Sequence, residues 1–369
     1  MIDEFKVHDE DKLLTPGLLV YPDRVKQNID AMLQITGGSN RLIPHIKTHK
    51  MSEVIKLQMK VGIRQFKCAT LSEMNLLIGC GVDRILLAHQ PTREKMMQFI
   101  YWQIKNPSIA FETLVDNKDS LLMFSRLALE NRIKIRLWID LNNGMNRSGI
   151  LPEKAFSVYT SIKNNINFEF QGLHVYDGHI RSLDMNERIF KCNSDFESVT
   201  NLVKKIEEAG GEVPEIITGG SPSFYPHSLR EKTLLSPGTI LFWDLGYKKI
   251  WKESPFINAA VLITRLISKP NTNIYCFDLG HKAIASEMPL PRVEILGLDD
   301  AIHKGQSEEH LIIEYNKKND FKIGDLFYAL PYHICPTVAK YNRAYTIENH
   351  IHTGYWDIEA RDYQIELNV

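Results

Sequence analysis

The sequence predicts a (β/α)8 barrel followed by a smaller all-β domain within 369 residues. Three observations carry this. Eight short apolar runs alternate with helical patterns over about 200 residues, the signature of a parallel barrel. Several runs end in polar or charged residues (Lys47, Thr70, His89, Asp116 and Asp177), as expected where strands emerge at a catalytic face. From about residue 245 the runs become β-type with turns between them and no long helical pattern. An open doubly wound sheet is the competing architecture.

The elements follow in order. Residues 1–40 hold a turn at Thr15-Pro16-Gly17, a β-rich run over Leu18–Tyr21, and a helix marked by Val25, Ile29, Met32 and Leu33 that Gly37-Gly38 closes. Barrel strands are predicted at 41–47, 65–70, 84–89, 110–116, 135–141, 170–177, 215–220 and 238–244. Helices are predicted at 51–60, 71–80, 93–105, 118–131, 152–164 and 186–209, with 222–236 irregular. The β domain holds runs at 260–267, 273–278, 310–315, 326–330 and 344–347. The expected division is a barrel domain over 14–244 and a β domain over 245–369, which residues 1–13 join.

Composition excludes several classes. Hydrophobic content of 44% and charged content of 24% are those of a globular protein, and a net charge of −1 offers nothing to nucleic acid or a membrane surface. The 5 cysteines are odd in number and scattered, with no CxxC pair, which argues for a reducing compartment. The first residues are too charged for a signal peptide. No apolar run approaches the roughly 20 residues that span a bilayer. A cytoplasmic enzyme of small molecules is expected.

The chemistry centres on Arg41-Leu-Ile-Pro-His45-Ile-Lys47-Thr48-His49-Lys50, where an apolar strand gives way to a helix. A lysine at a strand's carboxyl end is partly desolvated, which frees its amine for imine chemistry. Asn142-Asn-Gly144-Met-Asn-Arg147-Ser-Gly149 follows the fifth strand and presents Arg147 as a cation suited to a phenolate or carboxylate. His174-Val-Tyr176-Asp177-Gly-His179 ends the sixth; His174 and Tyr176 share one face, Val175 and Asp177 the other, and His179 lies beyond. Thr218-Gly219-Gly220-Ser221-Pro-Ser223 follows the seventh, where glycines admit an anion to backbone N–H groups, and Pro237-Gly238-Thr239 adds donors. His333-Ile-Cys335 places two ligands on one side of an extended segment, and imidazole with thiolate favours zinc.

Taken together, the motifs around Lys47, Arg147, Thr218–Ser223 and His333–Cys335 resemble the D-threonine aldolase and D-serine dehydratase family, whose barrel is of the alanine racemase N-terminal type. The resemblance covers nearly the whole chain. It implies that Lys47 binds pyridoxal 5'-phosphate covalently and that Arg147 approaches the cofactor's phenolic oxygen. It further implies that Tyr176 lies near the pyridine ring and that Thr218, Gly219, Gly220, Gly238 and Thr239 hold the phosphate. His333 and Cys335 would bind a divalent metal beside the substrate's β-hydroxyl: zinc, with manganese or magnesium as harder alternatives. The family's enzymes are homodimers in which a β domain closes the partner's site.

Two outcomes use this one set of residues. The family's aldolases carry aspartate where this chain carries Cys335, and its dehydratases carry cysteine, so the expectation leans to elimination from a β-hydroxy-D-amino acid, giving a 2-oxo acid and ammonia. D-serine, D-threonine and D-threo-3-hydroxyaspartate are candidate substrates. Lys47 is the expected base at the α-carbon. The alternative is retro-aldol cleavage to glycine and an aldehyde, with His179 or a metal-bound water as the candidate base at the β-hydroxyl. A non-catalytic cofactor carrier of barrel type is a third reading, against which the β domain and the His-x-Cys pair argue.

Overall fold

The computed structural model describes residues 2–367, whose contacts divide the chain into two compact units. One comprises Leu33–Lys47, Ile55–Gly238 and the chain from Asp362; the other comprises the chain up to Met32, Thr48–Val54 and Thr239–Arg361.

The first unit is the barrel. Seven parallel strands run in sequence order: Gln65–Cys68, Arg84–Leu87, Ala110–Val115, Ile135–Leu141, Phe168–Val175, Glu215–Thr218 and Leu234–Leu235. The segment before them closes the ring. Ile46 N–H donates to the Lys67 carbonyl at 3.0 Å, and Lys67 N–H to that of Pro44 at 2.9 Å. On the other side, Ile43 N–H donates to Leu235 at 2.9 Å and His45 N–H to Pro237 at 2.8 Å. Residues 41–46 are therefore the eighth staff of the barrel. The alternation expected from sequence thus holds, within two residues at the bounds of most strands and helices.

One strand does not fall where expected. The run 238–244 is a single helical turn, Thr239–Leu241, and the strand is Leu234–Leu235 instead. Pro237 has no N–H to continue the ladder, so pairing stops there. Ile240, Leu241, Phe242 and Trp243 are buried all the same, which gave the run its strand-like look.

The barrel interior is filled. Ile43, Leu86, Leu114, Trp138 and Ile217 pack together. The Trp138 indole donates to Glu112 at 2.7 Å, and Arg84 joins Glu112 at 2.8 Å and Glu215 at 2.6 Å. Buried charges of this kind are tolerable because each is paired. Trp138 needs space across the ladder, and Gly172 (φ +147°) supplies it.

The second unit is built on a mixed sheet in which Ala260–Asn271 is central. It pairs antiparallel with Gly17–Val20, Ile274–Phe277 and Leu326–Pro331. Gly17–Val20 also pairs, in parallel, with Arg343–Glu348. Three strands were not read from the sequence: Val293–Ile295, Ile302–Gln306 and Ile351–Asp357. The last two are largely solvent-facing, which weakens their apolar pattern. Phe5, Val7 and Leu13 pack into this unit's core with Leu19, Tyr21, Val261, Tyr328 and Leu330. No helix among the described residues is long and apolar enough to cross a membrane.

A Cβ at position 172 would stand 1.9 Å from the Glu215 carbonyl oxygen and 2.9 Å from the Trp138 ring. Gly172→Ala is expected to cost about 3 kcal/mol or more of stability. Urea unfolding reads this as a lowered midpoint; an unchanged midpoint would contradict the packing.

Candidate active site

Tyr176 is the hub of the barrel's polar end. It follows the strand Phe168–Val175 and its ring lies against two glycines. A Cβ on Gly220 would be 2.8 Å from that ring, and one on Gly178 would clash with the phenol itself. Three cations surround the same ring: Arg147 with Cζ 4.7 Å from its centroid, Lys47 with Nζ at 5.6 Å, and Lys67 with Nζ at 5.9 Å. The structure thus brings Lys47, Arg147, Tyr176 and Gly220 together.

Lys47 stands in the turn after the first staff. His45 accepts the Lys47 N–H on Nδ1 at 3.2 Å, and His49 accepts that of Met51 at 3.2 Å. Each imidazole thus closes a local turn. Burial pushes His49 down to about 3, so it stays neutral.

Lys67, His174 and Asp140 form a buried chain that sequence reasoning did not assemble. Lys67 Nζ lies 3.2 Å from His174 Nε2, and His174 Nδ1 lies 2.7 Å from Asp140 Oδ1. The Asp140 carboxylate can only accept, so Nδ1 carries the imidazole proton and Nε2 accepts from Lys67. Burial favours the uncharged Asp140, but the hydrogen bonds from His174 and Ser148 outweigh it and hold the carboxyl below its usual range. Burial, then the Lys67 charge, lowers His174. Burial, reinforced by Lys47 and Arg147 and opposed by Asp140 and Asp177, pushes Lys67 down to about 7. A signal was present: Lys67 and Asp140 are charged residues flanked by apolar ones near the carboxyl ends of their strands.

The glycine loop is tethered from below. Gly219 adopts φ +70°, and Gly220 N–H points to Ser223 Oγ at 3.3 Å. Ser223 Oγ donates to Asp177 Oδ1 at 2.5 Å, and His227 Nε2 donates to Asp177 Oδ2 at 2.6 Å. Cys192 Sγ reaches the same carboxylate at 3.6 Å. Burial opposes ionisation of Asp177, but His227 and Ser223 overcome it and its carboxyl lies below the usual range. The ligand atoms of Asp177, Cys192 and His227 lie within 4.8 Å of one another, a spacing that a metal ion would tolerate. All three are already engaged, and the Arg230 guanidinium donates to the other His227 nitrogen at 3.2 Å. The cluster therefore serves as the loop's anchor. Asp177 lies beyond the strand end rather than on its outer face.

His179, expected as a second base, is held by Asp195 of the helix Met185–Glu208 at 3.2 Å. Thr218 is fully buried, its hydroxyl 3.5 Å from the Leu234 carbonyl, and Gly238 N–H lies 3.5 Å from Ser221 Oγ.

These residues fit an anionic, flat cofactor such as pyridoxal phosphate. The cations exceed the acids around Tyr176, and the glycines leave backbone accessible. Two buried polar side chains also want a partner: Asn143, 4% exposed, has neither amide atom hydrogen-bonded, and Ser236, 4% exposed, has an unpaired hydroxyl. Asn143 lines a small cavity with Asp140, Arg147 and Tyr176.

The second unit holds the His-x-Cys pair. The segment is not extended as expected: His333 caps the short helix Ile334–Val338, and Cys335 lies in its first turn. Asp244 fixes the segment by accepting Ile334 N–H at 3.1 Å. The two side chains still meet. Burial would lower His333, but hydrogen bonds to Cys335 and Glu287 and the charge of Asp244 raise it to about 9. His333 Nδ1 pairs with Glu287 at 2.6 Å, leaving Nε2 as the ligand atom, the carboxylate–histidine arrangement common in metal sites. Cys335 Sγ lies 3.1 Å from the hydroxyls of both Thr48 and Thr239. One soft sulfur and one imidazole nitrogen fit a divalent metal of zinc type in an open site. The hydroxyl of Thr239, a residue expected at the phosphate, lies 3.1 Å from Cys335 Sγ.

The alanine racemase N-terminal domain model matches residues 20–245, more than half of the chain. The chain belongs to that family. A putative serine dehydratase domain model matches residues 259–347. Among curated proteins, a D-threonine aldolase of an Arthrobacter species is 21% identical over 95% of this chain and 93% of its own. The D-serine dehydratase of Dictyostelium discoideum is 24% identical over 92% and 95%. The D-threonine aldolase structure from Filomicrobium marinum matches with TM-score 0.86 and 20% identity over 95% and 96%. D-threo-3-hydroxyaspartate dehydratase from Delftia sp. HT23 matches with TM-score 0.82 and 20% identity over 96% and 98%. A cysteine-to-alanine variant of a D-threo-3-hydroxyaspartate dehydratase, solved in the metal-free form, matches with TM-score 0.82 and 19% identity over 96% and 98%. These structures share the alanine racemase-like fold. The protein is an enzyme of this family.

Burial sets a stability signature for Lys67. Its folded value lies near 7 against an ordinary 10.5, so the unfolded chain binds more protons between those limits and stability rises with pH across them. Lys67→Met in the cofactor-free protein is expected to flatten that slope and to raise stability at neutral pH. Urea unfolding near pH 7 and near pH 10 checks this; an unchanged slope would contradict the burial.

Proposed function

We propose that the protein is a pyridoxal-phosphate- and metal-dependent lyase of β-hydroxy-D-amino acids, working by dehydratase-type elimination. The observation that carries the choice is Cys335, paired with His333 and flanked by two threonine hydroxyls at 3.1 Å. A sulfur so held suits zinc, whereas the aldolase expectation is a harder carboxylate ligand. The metal-free cysteine variant of the dehydratase relative supports the same assignment.

The chain's residues divide the work. Lys47 would hold the cofactor, and its amine would serve as the base for the α-proton. Arg147 would meet the cofactor's phenolic oxygen, Tyr176 would support its ring, and the loop at Gly219 and Gly220 would receive its phosphate. Glu287 takes Nδ1 of the His333 ring, so that Nε2, on the Cys335 side, would be the ligating atom. When bound, the cofactor supplies an electron sink for the α-carbon and the metal a Lewis acid for the β-hydroxyl. Elimination of water and hydrolysis of the resulting enamine give a 2-oxo acid and ammonia without net oxidation. Homodimerisation and a cytoplasmic setting complete the reading; the cysteines are all free, which suits a reducing compartment.

Retro-aldol cleavage is the second reading, favoured by near full-length similarity to D-threonine aldolases. Zinc-loaded protein given D-serine, D-threonine and D-threo-3-hydroxyaspartate is expected to release ammonia with a 2-oxo acid. Aldehyde with glycine would select the aldolase, and no turnover at all would overturn both. Cys335→Ala is expected to lose bound metal and at least about 100-fold in kcat while keeping the cofactor's absorbance; unchanged metal content would remove Cys335 from the site.

A further inference from the structure

Lys67 is the buried titratable group that the proposed chemistry leaves unused. It is 3% exposed, yet it faces the ring that Lys47 faces, at 5.9 Å against 5.6 Å. It is not salt-bridged: its hydrogen bond goes to a neutral imidazole, whose far nitrogen reaches Asp140. The charged groups acting on it are Lys47, Arg147, Asp140 and Asp177, with His174 in contact and Tyr176 alongside. A structural lysine in a barrel core is paired with a carboxylate, as Arg84 is with Glu112 and Glu215. Lys67 is held instead through an imidazole, a group that both accepts and passes on a proton.

We propose that Lys67 is a second proton-transfer amine of this enzyme, the inner end of a Lys67–His174–Asp140 relay that takes the proton Lys47 removes from the substrate. The role in turnover rests on the lyase reading above; the relay itself does not. After Lys47 has taken the α-proton it must lose it before it rejoins the cofactor. An N–H bond of the Lys47 ammonium breaks, its electron pair stays on Lys47, and the proton forms a new N–H bond on neutral Lys67. His174 Nε2 then accepts a proton from Lys67 as Nδ1–H is drawn towards Asp140; the relay stores the proton only transiently and gives it back through Lys67 to the departing β-hydroxide, which leaves as water. No oxidant, reductant or further reactant is needed. A buried lysine near neutrality suits this, because both of its protonation states are accessible at working pH. Ser148 Oγ donates to the second Asp140 oxygen at 3.0 Å, so the relay's outer end is tied to the loop that carries Arg147.

The test follows lysine side-chain carbons by NMR in protein grown on 13C-lysine, without cofactor, across pH. One lysine resonance is expected to titrate near neutral pH, to be missing in Lys67→Arg, and to move to higher pH in Lys47→Met, where a neighbouring positive charge is gone. In the loaded enzyme, Lys67→Met is expected to lower kcat about 100-fold with KM little changed, to alter the pH profile, and to regain rate with added methylamine. A Lys67 resonance that titrates only above about pH 9, or a Lys67→Met enzyme with the wild-type pH profile, would overturn the proposal. Neutral titration coupled to Lys47 in a protein that turns over no D-amino acid supports the relay and fails the lyase reading. Turnover indifferent to Lys67→Met keeps the lyase reading and overturns the relay.

Discussion

Three basic side chains converge on one aromatic ring. Arg147, Lys47 and Lys67 all lie within 6 Å of the Tyr176 centroid, at the end of a barrel whose interior is otherwise apolar or charge-balanced. Basic groups crowded in a poorly solvated place disfavour one another's charge, so the arrangement persists only where the backbone imposes it. Two glycines admit the ring, the Asp177–His227–Ser223 cluster fixes the loop beneath it, and Asp140 ties His174 to Ser148. The consequence is a preorganised field complementary to an anion, which a phosphate and a phenolate satisfy together. The unpaired Asn143 amide and Ser236 hydroxyl fit the same requirement.

The His333–Cys335 unit is built on other principles. Its donors are few, soft and partly exposed, and its anchoring is local. Asp244 holds the backbone, Glu287 holds the imidazole, and Thr48 and Thr239 flank the sulfur.

Much of this was legible in the sequence because alternation and helix periodicity are properties of short segments. The helices Leu71–Cys80, Arg93–Lys105 and Lys118–Asn131 begin and end where pattern places them, and Thr70 and Asn117 cap two of them. The segment 238–244 misled because buried apolar side chains look alike in a strand and in a turn, and only Pro237 marked the difference. The His-x-Cys geometry misled because a helix cap and a strand end both begin with an extended residue. Lys67, His174 and Asp140 come from three strands, and no linear pattern shows that their side chains meet. His179 looked free past its strand end, and Asp195, on the helix that follows, takes it.

Which lysine bears the cofactor decides the whole account, since Lys47 and Lys67 address the same ring. The direct measurement is borohydride reduction of pyridoxal-phosphate-loaded protein followed by peptide mass spectrometry. The account predicts the reduced pyridoxyl addition on Lys47, with Lys67 unmodified. The addition on Lys67 or Lys50, with Lys47 bare, would contradict it.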